Sequence, residues 1–230
     1  MMTKKAYFVT GTDTDVGKTF VAASLLLAAK ERGLTTAALK PVAAGCEKTP
    51  EGLRNADALL LQSVITQPLY YEQINPIALA SPMAPHIAAQ QEKRSMSADR
   101  LAGFCRGVLN AADFTLVEGA GGWRVPLNPS ETMADLVKAL RLPVILVVGV
   151  KLGCINHTLL TVEAIRNDGL VLAGWVANCV DEDMLALQDN IQSLQARIQA
   201  PCLAVVPWME DHSPQAAAAC FAEDCFSHLL

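Results

Sequence analysis

The sequence predicts an α/β fold, a doubly wound, mostly parallel sheet with helices on both faces. Two observations carry that prediction. Short apolar runs rich in β-branched residues alternate with longer segments of helical pattern, the order that repeated strand–helix units produce. Most of the runs are apolar without interruption, as a parallel strand covered on both faces requires.

The first run, Ala6–Thr10, leads through a glycine-bearing turn into the helical segment Thr19–Glu31. Thr35–Leu39 is the second strand, and Pro41 stops it from running on. Residues 41–96 are interrupted by Gly and Pro and read as several loops, the kind of region that carries the site in such folds. Ser97–Leu109 is a helix, Phe114–Val117 a strand and Met133–Leu140 a helix. The strand Val144–Val148 lies within 143-PVILVVGV-150 and precedes a helix at Thr158–Asn167. Strands Val171–Ala177 and Leu203–Val206 flank a helix at Glu182–Ile198. With no internal repeat or low-complexity linker, residues 1–230 read as one domain.

Composition narrows the function classes. A hydrophobic share of 52% against 18% charged residues permits a sizeable core. The net charge of -5 argues against a broad footprint for nucleic acid. The apolar stretch near the start is too short for a signal-peptide core, and 143–150 is too short to span a bilayer. The seven cysteines form no C-x-x-C pair, which disfavours zinc and points to a reduced, cytoplasmic setting.

Function becomes legible in 6-AYFVTGTDTDVGKTFVAAS-24. The stretch nearly fits G-x-x-x-x-G-K-[ST], but five residues, Thr12 to Val16, separate Gly11 from Gly17 where the pattern allows four. At a strand-to-helix turn, the unpaired N–H groups and the dipole of the helix form an anion site. Gly17 lets the backbone approach a phosphate, Lys18 can reach the β/γ oxygens, and the Thr19 hydroxyl can ligate Mg²⁺. The plain alternative, a glycine turn with a surface lysine, is disfavoured by the flanking strand and helix. The fold is accordingly P-loop NTPase-like, and the extra residue would bulge the loop toward a second substrate.

Three further residues are candidates to act with this loop, two of them at the same sheet edge. Glu118 ends the apolar part of 114-FTLVEGAGG-122, where open α/β sheets bind ligands. Its following glycines have no obvious packing use and would let backbone approach a phosphate. Asp57, at the start of a helical pattern, reads equally as a metal ligand or as an ordinary first-turn acid. Lys40 closes the second strand ahead of a Pro-Gly loop, a good position for stabilising charge. His86 and His157 are isolated and read as structural rather than as bases.

Seven segments then carry a resemblance. GTDTDVGKT (11–19), KPVAAG (40–45), EKTPEGLRNADAL (47–59), VEGAGGW (117–123), LPVILVVGVKLGCINH (142–157), AGWVAN (173–178) and VPW (206–208) follow the order and spacing of the dethiobiotin synthetase family. The chain resembles that family from near its start to Trp208, including the six-residue step from Gly11 to Gly17. The resemblance implies an ATP- and Mg²⁺-dependent ligase of biotin synthesis. It would join 7,8-diaminononanoate and CO₂ into a cyclic urea, through a carbamate and a carbamic-phosphoric anhydride, releasing ADP and phosphate.

Site roles follow from the matching motifs as implications of the resemblance. Lys18 and Lys40 would stabilise the carbamate and the transferring phosphoryl group, with Thr14 facing the diamine. Asp15, Val16, Gly17, Lys18, Thr19 and Phe20 would bind ATP, as would Asp57, Glu118, Gly119, Ala120 and Gly121. Thr19, Asp57 and Glu118 would hold Mg²⁺. Asn178, Cys179, Pro207, Trp208 and Met209 would line the adenine pocket. Lys40, Ala44, Gly121 and Gly122 would contact the diamine. Leu152, Gly153, Cys154, Ile155 and Asn156 of one subunit would receive the carboxylate tail of substrate bound in the other, making a homodimer necessary. From the residues alone, that last segment reads as a strand-to-helix loop with its helix opening near Asn156. Two departures stand out: Ala44 replaces a common serine, and Cys179 a common acid.

A regulatory nucleotide switch is the competing class. It is favoured by Asn178 and Asp181 in NCVD, which match a guanine-reading N-K-x-D pattern without its lysine. Lys40 and the glycines after Glu118 weigh against it. A partitioning ATPase would carry a lysine early in the loop, and a glutamine-dependent amidoligase would need a further domain.

Overall fold

Strands without a polar face need cover on both sides, and the chain supplies it. The computed structural model describes residues 4–230. Its strands are β1 (Lys5–Gly11), β2 (Thr36–Leu39), β3 (Val42–Ala43), β4 (Glu47–Thr49), β5 (Gly52–Arg54), β6 (Ile77–Ala78), β7 (Phe114–Gly122), β8 (Val144–Val150), β9 (Leu172–Cys179) and β10 (Cys202–Val206). Its helices are α1 (Lys18–Glu31), α2 (Ala56–Val64), α3 (Tyr71–Ile74), α4 (Pro85–Gln91), α5 (Ala98–Arg106), α6 (Met133–Leu140), α7 (Cys154–Asn167), α8 (Leu187–Arg197), α9 (Pro214–Ala218) and α10 (Glu223–Leu229). Among the described residues no helix is long and apolar enough to cross a membrane.

Six strands form one parallel sheet in the order β10-β9-β8-β1-β7-β2. After β1 the chain builds one side of the sheet and then crosses to build the other. The reversal lies beside β1, the place where doubly wound sheets open a crevice at their strand ends. Alternation along β1 sends Tyr7 and Val9 to one face and Phe8 to the other. On the first face α1 packs on the sheet beside α9, α10 also reaches the sheet, and Leu25, Ala28 and Ala29 share one cluster with Ala217, Phe221 and Phe226. Cover by the sheet, α2 and α9 together explains why α1 has almost no polar side. On the other face α5 and α6 pack over Phe8 and Val144, while α7 and α8 pack over Leu146 and Trp175.

Register places the site. Leu39 lies opposite Val117, and Val9 lies opposite Glu118. The β1–β7 pairing then slips, so that Gly11 meets Gly122.

The six expected strands are the six of the sheet, but other boundaries differ. β7 continues past Glu118 to Gly122, which pairs with β1 again at Gly11. The glycines also have packing uses that the sequence reading denied them. A Cβ on Gly119 would meet the Phe8 ring at 2.9 Å, and one on Gly121 would meet Val125 at 2.7 Å. The region 41–96 is not only loops: it holds the β3–β6 pair, the β4–β5 hairpin, α2, α3 and α4. Most of these are two to four residues long, too short to show a period. α7 opens at Cys154 rather than near Asn156, from a left-handed Gly153 that gives no side-chain cap signal. α8 starts at Leu187, after a turn in which Asp181 accepts from the Asp183 N–H.

The C-terminal residues complete the core. The Arg32 guanidinium lies 4.2 Å from the centre of the Phe226 ring and donates to the Phe221 carbonyl at 2.9 Å. The Tyr7 hydroxyl donates to the Leu229 carbonyl. All seven cysteines are free, and burial pushes the Cys105 and Cys225 thiols up to about 12, so they act as core hydrophobes. Phe226→Ala should cost about 3–5 kcal/mol of stability in urea denaturation, as for other buried Phe truncations. A loss below about 1 kcal/mol would show that α10 is separable from the core.

Candidate functional site

Because Leu39 and Val117 are paired, the residues that follow them, Lys40 and Glu118, become neighbours at the sheet edge. Lys40 Nζ lies 2.6 Å from Glu118 Oε1 and 2.7 Å from Asp57 Oδ2. Lys40 and Glu118 are buried, at 5% and 1% exposure. Asp57 is placed by α2, whose first turn it occupies. Asn55 caps that helix, its side chain accepting from the Ala58 N–H at 3.2 Å. Burial alone would push Lys40 down. The charges of Glu118 and Asp57 and their hydrogen bonds outweigh it, holding Lys40 above the usual lysine value and therefore charged.

The phosphate loop meets this group from the other side. Gly17, at φ 82°, is the left-handed residue that opens α1. Thr19 Oγ1 donates to Glu118 Oε1 at 2.7 Å, so that one carboxylate oxygen gathers both Lys40 and Thr19. The other oxygen, Oε2, is buried without a hydrogen-bond partner. Lys18 is buried and curls back to the Asp13 carbonyl, 2.8 Å away. Burial pushes its pKa down, and the positive charge of Lys40 adds to this against the opposing pull of Glu118. Asn178 Nδ2 donates to the Val16 carbonyl at 2.9 Å and fixes the loop from beneath. A hydroxyl, a second carboxylate and an orphaned carboxylate oxygen form a hard oxygen donor set of the kind Mg²⁺ takes beside phosphate and water. Thr19, Asp57 and Glu118 thus fit that ion.

Lys18, Lys40, Asp57 and Glu118, though not Thr19, line a cavity of about 510 Å³. Its charged end holds Lys18, Lys40, Asp57 and Glu118, with Thr14, Asp15 and Gly17 beside them. Its other walls are largely apolar: Ala43, Ala44, Pro82, Met83, Ala84 and Pro85 on one side, Ala120, Gly121, Val125 and Pro126 on the other. A cavity with one ionic end and apolar walls suits a small molecule whose reacting groups sit on a hydrocarbon chain.

The remaining expected residues lie elsewhere. Val16 is buried in the core, and Phe20 is half-buried against His212, ring centres 6.0 Å apart. Gly119 and Gly122 do not line the cavity. Pro207, Trp208 and Met209 follow β10, where Val206 pairs with Asn178, so they sit by the outer flank of the loop rather than in the cavity. The side chains of Cys179 and Cys154 pack in the core, which leaves only their backbone for a ligand. Leu152, Gly153 and Asn156 are exposed and Ile155 is half-buried, and none of them lines this chain's cavity. The sequence reading placed Ala44, Ala120 and Gly121 in the site but missed Asn55, Ala43, Pro82, Met83, Ala84, Pro85, Val125 and Pro126. The proline-rich 81-SPMAPH-86 was the available signal, a punctuated loop inside the one region of broken pattern.

Known proteins resemble this chain in sequence and in fold. A family profile described as an AAA domain matches residues 5–216. The chain is 69% identical over 218 residues to the ATP-dependent dethiobiotin synthetase of Cellvibrio japonicus, covering 95% of this chain and 96% of that one. It is 58% identical to the enzyme of the same name from Pseudomonas aeruginosa, covering 93% and 94%. Among solved structures, the septum site-determining protein MinD of Pyrococcus horikoshii, complexed with Mg-ADP, superposes with a TM-score of 0.57. That match has 16% identity and covers 99% of this chain and 93% of that one, a likeness of fold.

Gly17 gives a direct test of the loop. A Cβ there would lie 2.2 Å from Asn178 Nδ2, at a φ that side chains disfavour. Gly17→Ala should weaken ATP binding at least about tenfold by calorimetry. Unaltered affinity would show that the loop does not hold the nucleotide.

Proposed function

The chain belongs to the ATP-dependent dethiobiotin synthetase family, and on that premise we propose that it closes the cyclic urea of dethiobiotin from 7,8-diaminononanoate, CO₂ and ATP. The observation that carries the reading is the meeting of Lys18, Lys40 and Glu118 at the charged end of a cavity with apolar walls. One amine of the substrate forms a carbamate with CO₂. The γ-phosphate passes to the carbamate, and the second amine attacks the mixed anhydride and expels phosphate.

Such a sequence asks little covalent help of the protein, only placement and charge. Lys40, held charged by its two carboxylates, lies where negative charge grows on the carbamate and the phosphoryl group. Lys18 approaches the nucleotide phosphates from the start of α1, where backbone N–H groups also point at them. Thr14, on the exposed bulge of the enlarged loop, faces the diamine. The apolar walls receive its hydrocarbon chain and exclude water. Thr19, Asp57 and Glu118 would hold Mg²⁺, which when bound offsets the phosphate charge.

The adenine end is assigned to Asn178 and to the segment from Pro207 to Met209. The exposed start of α7, from Leu152 to Asn156, is assigned to the carboxylate tail of substrate bound in a second subunit. The working unit is then a homodimer of single-domain subunits in the cytoplasm.

Purified protein given ATP, Mg²⁺, bicarbonate and diaminononanoate should release phosphate only when diamine is present and should form the cyclic urea. Diamine-independent phosphate release without product would defeat the reading in favour of a nucleotide switch. Lys40→Ala should lower kcat by roughly 10²–10³, the usual cost of removing a transition-state charge stabiliser. Normal turnover in that variant would remove Lys40 from the mechanism.

A further inference from the structure

Lys40 and Asp57 come from different elements, with a hairpin between them, yet their charged groups meet within hydrogen-bond distance. One buried polar chain joins the backbone of Lys40 to that of Asn55, the cap of the helix that carries Asp57. The Tyr71 hydroxyl accepts from the Asn55 N–H at 2.7 Å and donates to Asn75 Oδ1 at 3.0 Å. Asn75 Nδ2 donates to the carbonyls of Lys40, at 2.7 Å, and Ile77, at 3.3 Å. The Lys40 N–H in turn donates to the Ile74 carbonyl at 2.8 Å. Asn55 caps α2 two residues before Asp57. Tyr71 and Asn75 are buried, and the Arg54 guanidinium lies 4.2 Å from the centre of the Tyr71 ring. In a low-dielectric interior, a fully satisfied chain of this kind is stiff, and water does not replace a lost member.

We propose that Tyr71 and Asn75 are positioning residues that set the spacing between the Lys40 ammonium and the Asp57 carboxylate. Neither lines the cavity. The Tyr71 hydroxyl holds the start of α2 and, through it, Asp57. Asn75 holds the main chain of Lys40, and the short helix α3 is the spacer between the two grips. A tyrosine and an asparagine that only satisfied one another in the core would have no need to end their outward bonds on the backbones of two site elements. The inference rests on the reading that Lys40 and Asp57 serve phosphoryl transfer.

Tyr71→Phe tests it, because the substitution removes one hydroxyl and keeps the ring and its Arg54 contact. kcat should fall about 10- to 100-fold, as for a displaced catalytic group, while the KM for ATP changes little. The affinity of the ATP-bound protein for Mn²⁺, read by electron paramagnetic resonance, should weaken severalfold, since Asp57 is a proposed ligand. Combined with Asp57→Asn, Tyr71→Phe should add little further loss, because both changes act on one group. A lowered melting temperature with unaltered kcat and Mn²⁺ affinity would make Tyr71 a core residue only, and additive losses in the double variant would also overturn the proposal. Wild-type turnover in the same assay separates the two questions. Absent wild-type product defeats the function, whereas normal wild-type turnover with an unaffected Tyr71→Phe defeats the positioning role.

Discussion

A carboxylate with almost no exposure must be answered by positive charge, and Glu118 is the group around which this molecule is arranged. It stands on β7, between β1 and β2, so each neighbouring strand delivers one partner. β2 is followed directly by Lys40, and β1 leads through the loop into Thr19. Desolvating an isolated carboxylate and an isolated ammonium costs several kcal/mol per ion. The pair is therefore tolerable only while sheet register, loop and α2 all keep their places. A slip of one residue between β2 and β7 would move Lys40 off Glu118 and turn the side chains of β2 to the opposite face.

The enlarged phosphate loop acquires its meaning from what surrounds it. Gly17 and Lys18 occupy the positions that a phosphate cradle requires, and Asn178 ties the loop to the end of β9. The added length lies in an exposed bulge at Asp13, Thr14 and Asp15, and the last two line the cavity. The packing of Val125 against Gly121 brings an apolar wall close to that bulge. On the proposed reading the loop has a nucleotide side and a second-substrate side, and the fifth residue between Gly11 and Gly17 gives the room to separate them.

The fold was legible because its strands are unbroken apolar runs, a signal that needs only local composition. The phosphate loop was legible because all its parts are contiguous. Lys40 and Glu118 could be placed at strand ends, but their contact depends on register, which apolar runs do not encode. The glycines after Glu118 read as room for a phosphate, yet β7 runs on through them and pairs with β1 again at Gly122. Ala43, Pro82 and Val125 meet in the cavity only through elements of a few residues, below the length at which any period appears. Tyr71 and Asn75 carried no motif, and their importance lies entirely in which backbone groups they reach.

The bond between Tyr7 and Leu229 joins residues separated by 222 positions. It has a consequence for synthesis. β1 is the first of the sheet strands to be made and one of the two in its middle, yet the side of the core that begins at Tyr7 and Phe114 is sealed by Phe226 and Leu229. A growing chain that has already formed the phosphate loop and all six sheet strands therefore still exposes an apolar seam. Until α10 emerges, that seam is open to chaperones or to other nascent chains. The order of translation leaves the oldest part of this core as the last to close.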